Sequence, residues 1–95
     1  MRTIERTNKF KRDYKRETKG QSEASVAKLD TELNAVFRVL AADGTLEPRY
    51  RDHPLTGMKD VRDCHIRPDL VLLYRKPPGS VVLVRLGSHS ELGLT

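Results

Sequence analysis

The residues best suited to chemistry in this chain are its three histidines, His53, His65 and His89, together with Asp69 and Arg85. Imidazole, with an unperturbed pKa of about 6.5, can take or give a proton at cellular pH. A carboxylate can orient such a ring, and guanidinium matches a phosphate bidentately. RNA carries its own nucleophile, the 2′-hydroxyl. A base for that proton, an acid for the leaving 5′-oxygen and a cation for the phosphate would cleave it without a metal. Three histidines and an aspartate also resemble a zinc ligand set. Against that reading, the spacings are long, no H-x-x-x-H pair is present, and Arg85 would be a poor neighbour for a cation. A third reading makes these ordinary surface and loop residues.

Whether they meet depends on the elements that carry them. Residues 61–66 alternate in polarity, residues 70–74 are continuously apolar, and Arg67-Pro68-Asp69 between them has turn chemistry. After the turn signal Pro77-Pro78-Gly79-Ser80, residues 81–86 form a second apolar run. Strands joined by short turns are antiparallel. Such a three-strand meander returns the end of its last strand to the edge where the first one ends. His65, Asp69, Arg85 and His89 are therefore expected at one end of a sheet, with His53 delivered by the loop over 45–60. Alternation turns Cys64 away from His65, as a buried and unreactive thiol.

The N-terminal half supplies support. Residues 2–6 read as a short edge strand, and Thr7 or Asn8 caps a helix that buries Phe10 and Tyr14 and ends at Gly20. Its other face carries Lys9, Lys11, Arg12, Lys15, Arg16 and Lys19, a candidate phosphate-contacting surface as well as a plain solvated one. A second helix, capped by Ser22 and closed by Asp43-Gly44, shows Val26, Leu29, Leu33, Val36, Phe37 and Leu40 at helical period, which is a core face. Strand, two helices, loop and meander make an α+β domain covering residues 1–95.

At 95 residues, 37% hydrophobic and 33% charged, the chain suits one small core, and its net charge of +5 favours a polyanionic partner. No run reaches the roughly 20 apolar residues of a membrane span. A single cysteine suits a reducing cytoplasm, the compartment expected here.

Three segments, in order, carry a family pattern: Tyr50-Arg51-Asp52-His53-Pro54-Leu55-x-Gly57, then Arg62-Asp63-Cys64-His65-Ile66-x-Pro68-Asp69-Leu70-x-Leu72-x-Tyr74, then Arg85-Leu86-Gly87-Ser88-His89-Ser90-Glu91-Leu92. This half resembles the YafQ-like branch of the RelE/ParE toxin superfamily. The resemblance implies a RelE-like fold: an N-terminal strand and two helices packed on a small antiparallel sheet that ends in the meander. It further implies an mRNA interferase toxin that enters the ribosomal A site, cuts translated mRNA, needs no cofactor and is silenced by an adjacently encoded antitoxin. Operator DNA would be reached only through that antitoxin complex.

By the same resemblance His53, His65, Asp69 and His89 form the active site, with Arg85 near the phosphate. His89 is expected as general acid, His53 or His65 as base, and Asp69 as the group orienting an imidazole. Arg51 and the cations of the first helix are expected to meet RNA or ribosome. Two positions depart from the pattern: Gly93 stands where an aromatic is common, and Leu70 where a tryptophan is common. On the same fold, a ParE-like gyrase inhibitor and a non-catalytic RNA-binding or autoregulatory module are the alternatives.

Overall fold

The computed structural model describes residues 1–94. Strand β1 (Thr3–Arg6) leads through Thr7 into helix α1 (Asn8–Thr18), and Ser22 opens helix α2 (Glu23–Ala41). Both caps work as the residue types require: the Thr7 hydroxyl accepts from Phe10 N at 3.0 Å, and the Ser22 hydroxyl from Ser25 N at 3.1 Å. A short 3₁₀ turn (Pro48–Tyr50) precedes β2 (His53–Pro54), and the chain ends in β3 (Arg62–Arg67), β4 (Leu70–Arg75) and β5 (Ser80–Gly87).

The sheet has five strands in the order β1-β5-β4-β3-β2. The meander β3-β4-β5 forms as expected, but the sheet is mixed rather than antiparallel, because β1 pairs in parallel with β5. Parallel pairing needs a long crossover, and here both helices and strands β2 to β4 lie between the two strands. The alternating run begins one residue later than its apolar pattern, at Arg62, and Val61 packs beneath it. Within the loop, His53 and Pro54 form a fifth, edge strand against Asp63 and Arg62. Proline lacks the N–H a central strand needs, so only an edge accommodates it.

The helices cover one face. Leu29, Leu33, Val36, Phe37 and Leu40 of α2 and Phe10 of α1 pack on Cys64, Ile66, Leu72, Tyr74, Val81 and Leu83. Val26 is only half-buried, one turn short of the main contact. A smaller cluster of Val61, Val71 and Leu73, with Leu55, Val84, Leu92 and Leu94, packs separately and draws in the 55–61 loop and the C-terminal turn. Strand β4 is buried from Leu70 through Tyr74, which is why it reads as a continuous apolar run.

Where β1 stops, α1 takes over the edge of β5. Pairing with β1 ends at Leu83. Further along, the Leu86 N–H donates to Asp13 Oδ2 at 3.0 Å and the Leu86 carbonyl accepts from Arg16 Nη2 at 2.8 Å. Two helix side chains thus satisfy backbone groups that a sheet edge would leave open.

Candidate active site

Strand register builds the site. His53 pairs with Asp63, Asp63 with Leu73, and Leu73 with Arg85, so one row crosses β2, β3, β4 and β5. His65 lies two residues beyond Asp63 and therefore on the same face of β3. It opposes Val71, which opposes Gly87, and His89 follows in the turn after β5.

The three imidazoles converge on one carboxylate. His53 Nε2 lies 3.8 Å and His89 Nε2 3.7 Å from Asp63 Oδ2, while His65 Nε2 lies 3.9 Å from Oδ1. The His65 and His89 rings are 5.0 Å apart between centroids. Asp63 is 2% exposed, and its Oδ1 accepts no hydrogen bond among the described residues. A buried carboxylate oxygen without a hydrogen bond is costly to the fold.

Each histidine has its own support. His53 Nδ1 contacts the Arg51 carbonyl at 2.6 Å. A carbonyl can only accept, so Nδ1 carries a proton and the ring turns Nε2 toward Asp63. Arg51 reaches this geometry in the left-handed region, with φ +50°, which costs a non-glycine residue roughly 1 kcal/mol. Asp52 anchors the same loop, accepting from Tyr74 Oη at 2.6 Å and from Arg62 Nε at 3.2 Å. Burial and that bond to Asp52 push the Tyr74 hydroxyl's pKa up, so it remains a neutral donor.

His89 sits inside a reciprocal cap. The Ser88 N–H donates to Glu91 Oε1 at 2.9 Å, and the Glu91 N–H donates to Ser88 Oγ at 3.1 Å. That backbone bond leads the interactions holding the Glu91 carboxyl below its ordinary pKa. Arg16 Nε reaches Glu91 Oε2 at 3.1 Å while its other nitrogens hold Asp13 and the Leu86 carbonyl. A Cβ on Gly87 would lie 2.8 Å from Arg16 Nη2, so the glycine makes room for this tie.

Not every expected residue joins the cluster. Asp69 lies at the exposed tip of the β3–β4 hairpin, and the carboxylate facing the imidazoles is that of Asp63. A bulge between His65 and Arg67 shifts the register just before that turn. The signal for Asp63 was in the sequence, two residues before His65 in an alternating strand. Arg85 occupies the site row, but its Nε bonds Asp13 Oδ2 at 2.6 Å. Burial raises the Asp13 carboxyl's pKa, yet bonds from Arg85, the Leu86 N–H and Arg16 outweigh it and hold the group below its ordinary value.

Arg16 is likewise engaged, whereas Lys9, Lys11, Arg12, Lys15, Lys19 and Arg51 are exposed with no carboxylate partner among the described residues. Cys64 is fully buried on the opposite face, and burial pushes its thiol's pKa up.

The model of a bacterial toxin of type II toxin–antitoxin systems, YafQ, matches residues 2–93. The chain belongs to the YafQ toxin family. Relatives agree. The mRNA interferase toxin YafQ of Escherichia coli BL21-DE3 is 30% identical over 97% of this chain and 96% of its own length. Its K12 counterpart matches at 41% over a shorter stretch, 45% of this chain and 48% of the relative. Among solved structures, a metal-bound toxin from Helicobacter pylori superposes with TM-score 0.82 at 43% identity, covering 97% of this chain and 99% of that one. The E. coli DinJ–YafQ complex gives 0.80 at 29%, covering 97% and 98%.

Membership in the YafQ family takes the place of the gyrase-inhibitor alternative. It also frames the two departures from the family pattern. Leu70 is buried in the helix-side core. Gly93 adopts φ +69° in the C-terminal turn, and Leu94 after it packs against the cluster of Val61, Val71 and Leu73. No helix among the described residues is long and apolar enough to cross a membrane.

Proposed function

We propose that this YafQ-family chain is an mRNA interferase: an endoribonuclease that cuts translated mRNA at the ribosome and is restrained by a cognate antitoxin. One observation carries the catalytic part of this reading, the three Nε2 atoms set 3.7–3.9 Å from the buried Asp63 carboxylate. His53, its Nδ1 hydrogen pinned by Arg51, acts as base through Nε2 and takes the 2′-hydroxyl proton. The 2′-oxygen attacks the adjacent phosphorus, the P–O5′ bond breaks, and His89 donates a proton to the departing 5′-oxygen. The products are a 2′,3′-cyclic phosphate and a 5′-hydroxyl.

Asp63 supplies the counter-charge for the imidazolium forms on either side of the step. At about 4 Å and an effective dielectric near 20, such a pair is worth about 4 kcal/mol before screening. His65, the least exposed of the three, holds the floor of the site. Asp69, at the hairpin tip, meets the RNA from the rim. Arg51 and the free cations of α1 contact phosphates of mRNA or ribosome. Arg85 acts through Asp13, fixing the strand end that leads to His89.

Induced alone in cells, the protein is expected to arrest growth and leave cut mRNA. Co-expression of the adjacently encoded antitoxin should reverse both effects, and purified protein should cut message only when ribosomes translate it. His53→Ala and His89→Ala should each abolish cutting. Full toxicity of both variants would overturn the reading.

A second occupant of the same site is favoured by the Asp63 oxygen that accepts no hydrogen bond. Asp63, His65 and His89 offer three ligand atoms within 4.8 Å of one another, a mixed imidazole–carboxylate set of the kind zinc and copper take. The H. pylori relative is described as metal-bound. A cation there would neutralise Asp63 and occupy the lone pairs that proton transfer uses. Metal binding at this site is therefore a brake on cleavage.

A further inference from the structure

Beside His65 lies a cleft of about 330 Å³ whose walls include Arg49, Tyr50, Arg51 and Arg67. That volume is at the lower end of ordinary ligand pockets. The walls are cationic but unequally free. Arg67 is tied to Glu32, with Nε at 2.9 Å. Arg49 lies 4.0 Å from Glu47, both side chains at least 70% exposed, a pairing of little energetic weight.

The arrangement of Arg49 is specific. Its guanidinium carbon stands 4.6 Å from the centroid of the Tyr50 ring, and Nη2 donates to the Tyr50 hydroxyl at 2.8 Å. Tyr50 is itself packed against the helix-side core. Core, aromatic ring and cation thus follow one another outward, and the Arg49 side chain is 70% exposed. A phosphate is gripped by the edge of a guanidinium through its N–H groups. Here the Tyr50 hydroxyl takes one N–H of that edge and the ring stands within cation–π range, so Arg49 is held beside its aromatic neighbour, and guanidinium planes stack on nucleobases.

We propose that Arg49, backed by Tyr50, is a stacking platform for an unpaired base of the RNA, seated in the cleft beside His65. The cleft shares His65 with the imidazole cluster, so this base belongs to a nucleotide flanking the scissile phosphate. Its π-face, not its hydrogen-bonding edge, is what the platform reads, so the contact strengthens binding without choosing a base. The inference rests on the nuclease reading for its substrate but is tested apart from cleavage.

The probe is a fluorescein-labelled RNA trinucleotide carrying 2′-O-methyl groups, which cannot be cut, read by fluorescence anisotropy. A stacked base is worth about 1–3 kcal/mol, so Arg49→Ala should weaken binding roughly 5- to 150-fold. Arg49→Lys keeps the charge and loses the planar face, and should recover less than half of that loss on a logarithmic scale. Trinucleotides made abasic at one position at a time supply the decisive arm. At one position the abasic probe should bind the wild-type protein as weakly as Arg49→Ala does, and the two changes together should cost no more than either alone.

Binding by Arg49→Ala within twofold of wild type overturns the platform, as does full recovery by Arg49→Lys or strict additivity at every abasic position. Should His53→Ala and His89→Ala still cut RNA, the proposed chemistry fails while these binding outcomes keep their meaning.

Discussion

Asp63→Asn separates what the fold needs from what the site needs. The wild-type protein buries this carboxylate to 2% exposure and leaves Oδ1 without a hydrogen bond. Asparagine keeps the shape and removes the charge. An ionised group buried without full hydrogen bonding costs the fold more than a neutral one. The variant should therefore be as stable as wild type or more so, by up to about 2 kcal/mol, seen as a Tm rise of about 4–8 °C per kcal/mol for a domain of this size.

Cleavage should move the other way. Three imidazoles stand 3.7–3.9 Å from the carboxylate, but His53 and His89 are 51% and 33% exposed at the side chain. Solvent screening reduces the roughly 4 kcal/mol available at that separation to about half, and about 2 kcal/mol of barrier is close to a 30-fold loss of rate. Thermal unfolding and single-turnover cleavage, run on the same preparation, give both signs. A variant that cuts at the wild-type rate while losing more than about 1 kcal/mol of stability would show that Asp63 serves the fold, and the catalytic argument would fall with it.

Asp13→Ala strands the Arg85 guanidinium and the Leu86 N–H, and should cost about 3–5 kcal/mol in urea unfolding. Because the Asp13 carboxyl sits below its ordinary value when folded, its stabilisation is present at neutral pH and drains away as pH falls from about 4 through that lowered value, so wild type should show a steeper acid limb than the variant. Glu91→Ala removes half of the cap around His89 and the Arg16 tie; it should cost the fold only about 1 kcal/mol, lower kcat several-fold and leave KM nearly unchanged in cleavage assays. Zinc or copper added to the purified protein should raise Tm and inhibit cleavage, a chelator should reverse both, and His65→Ala should abolish the Tm shift.

What could be read ahead of the structure was local. Thr7 and Ser22 cap because a hydroxyl before a helix finds its own backbone, and the apolar period of α2 needs no partner to be visible. The meander followed from turn residues, and with it the meeting of His65 and His89. What was not legible depends on partners far apart in the chain. Arg85 and Arg16 look like free cations until Asp13, 72 residues from Arg85, is seen between them. Strand β2 is two residues long and contains proline, so no pattern announces it; only the register with Asp63 makes it a strand. The choice between Asp63 and Asp69 turned on parity. An even offset from His65 within the strand keeps Asp63 on the histidine's face, whereas the bulge and the turn intervene before Asp69.

Parity also explains how so small a chain holds a site of this kind. A row across four strands places His53, Asp63 and Arg85 by backbone pairing alone, without dedicated scaffold. Only His89 lies beyond the sheet, and it is the residue with the densest side-chain support: the Ser88–Glu91 cap, Arg16 and, through Arg16, Asp13 and the β5 edge. The helix whose cations suggested a nucleic-acid surface thus divides its labour. Asp13 and Arg16 face inward and tie down the turn that carries His89, while Lys9, Lys11, Arg12, Lys15 and Lys19 face solvent and keep an outward positive charge. Neutralising the outward set should slow association and flatten its salt dependence, whereas disturbing the inward pair should act on the chemical step.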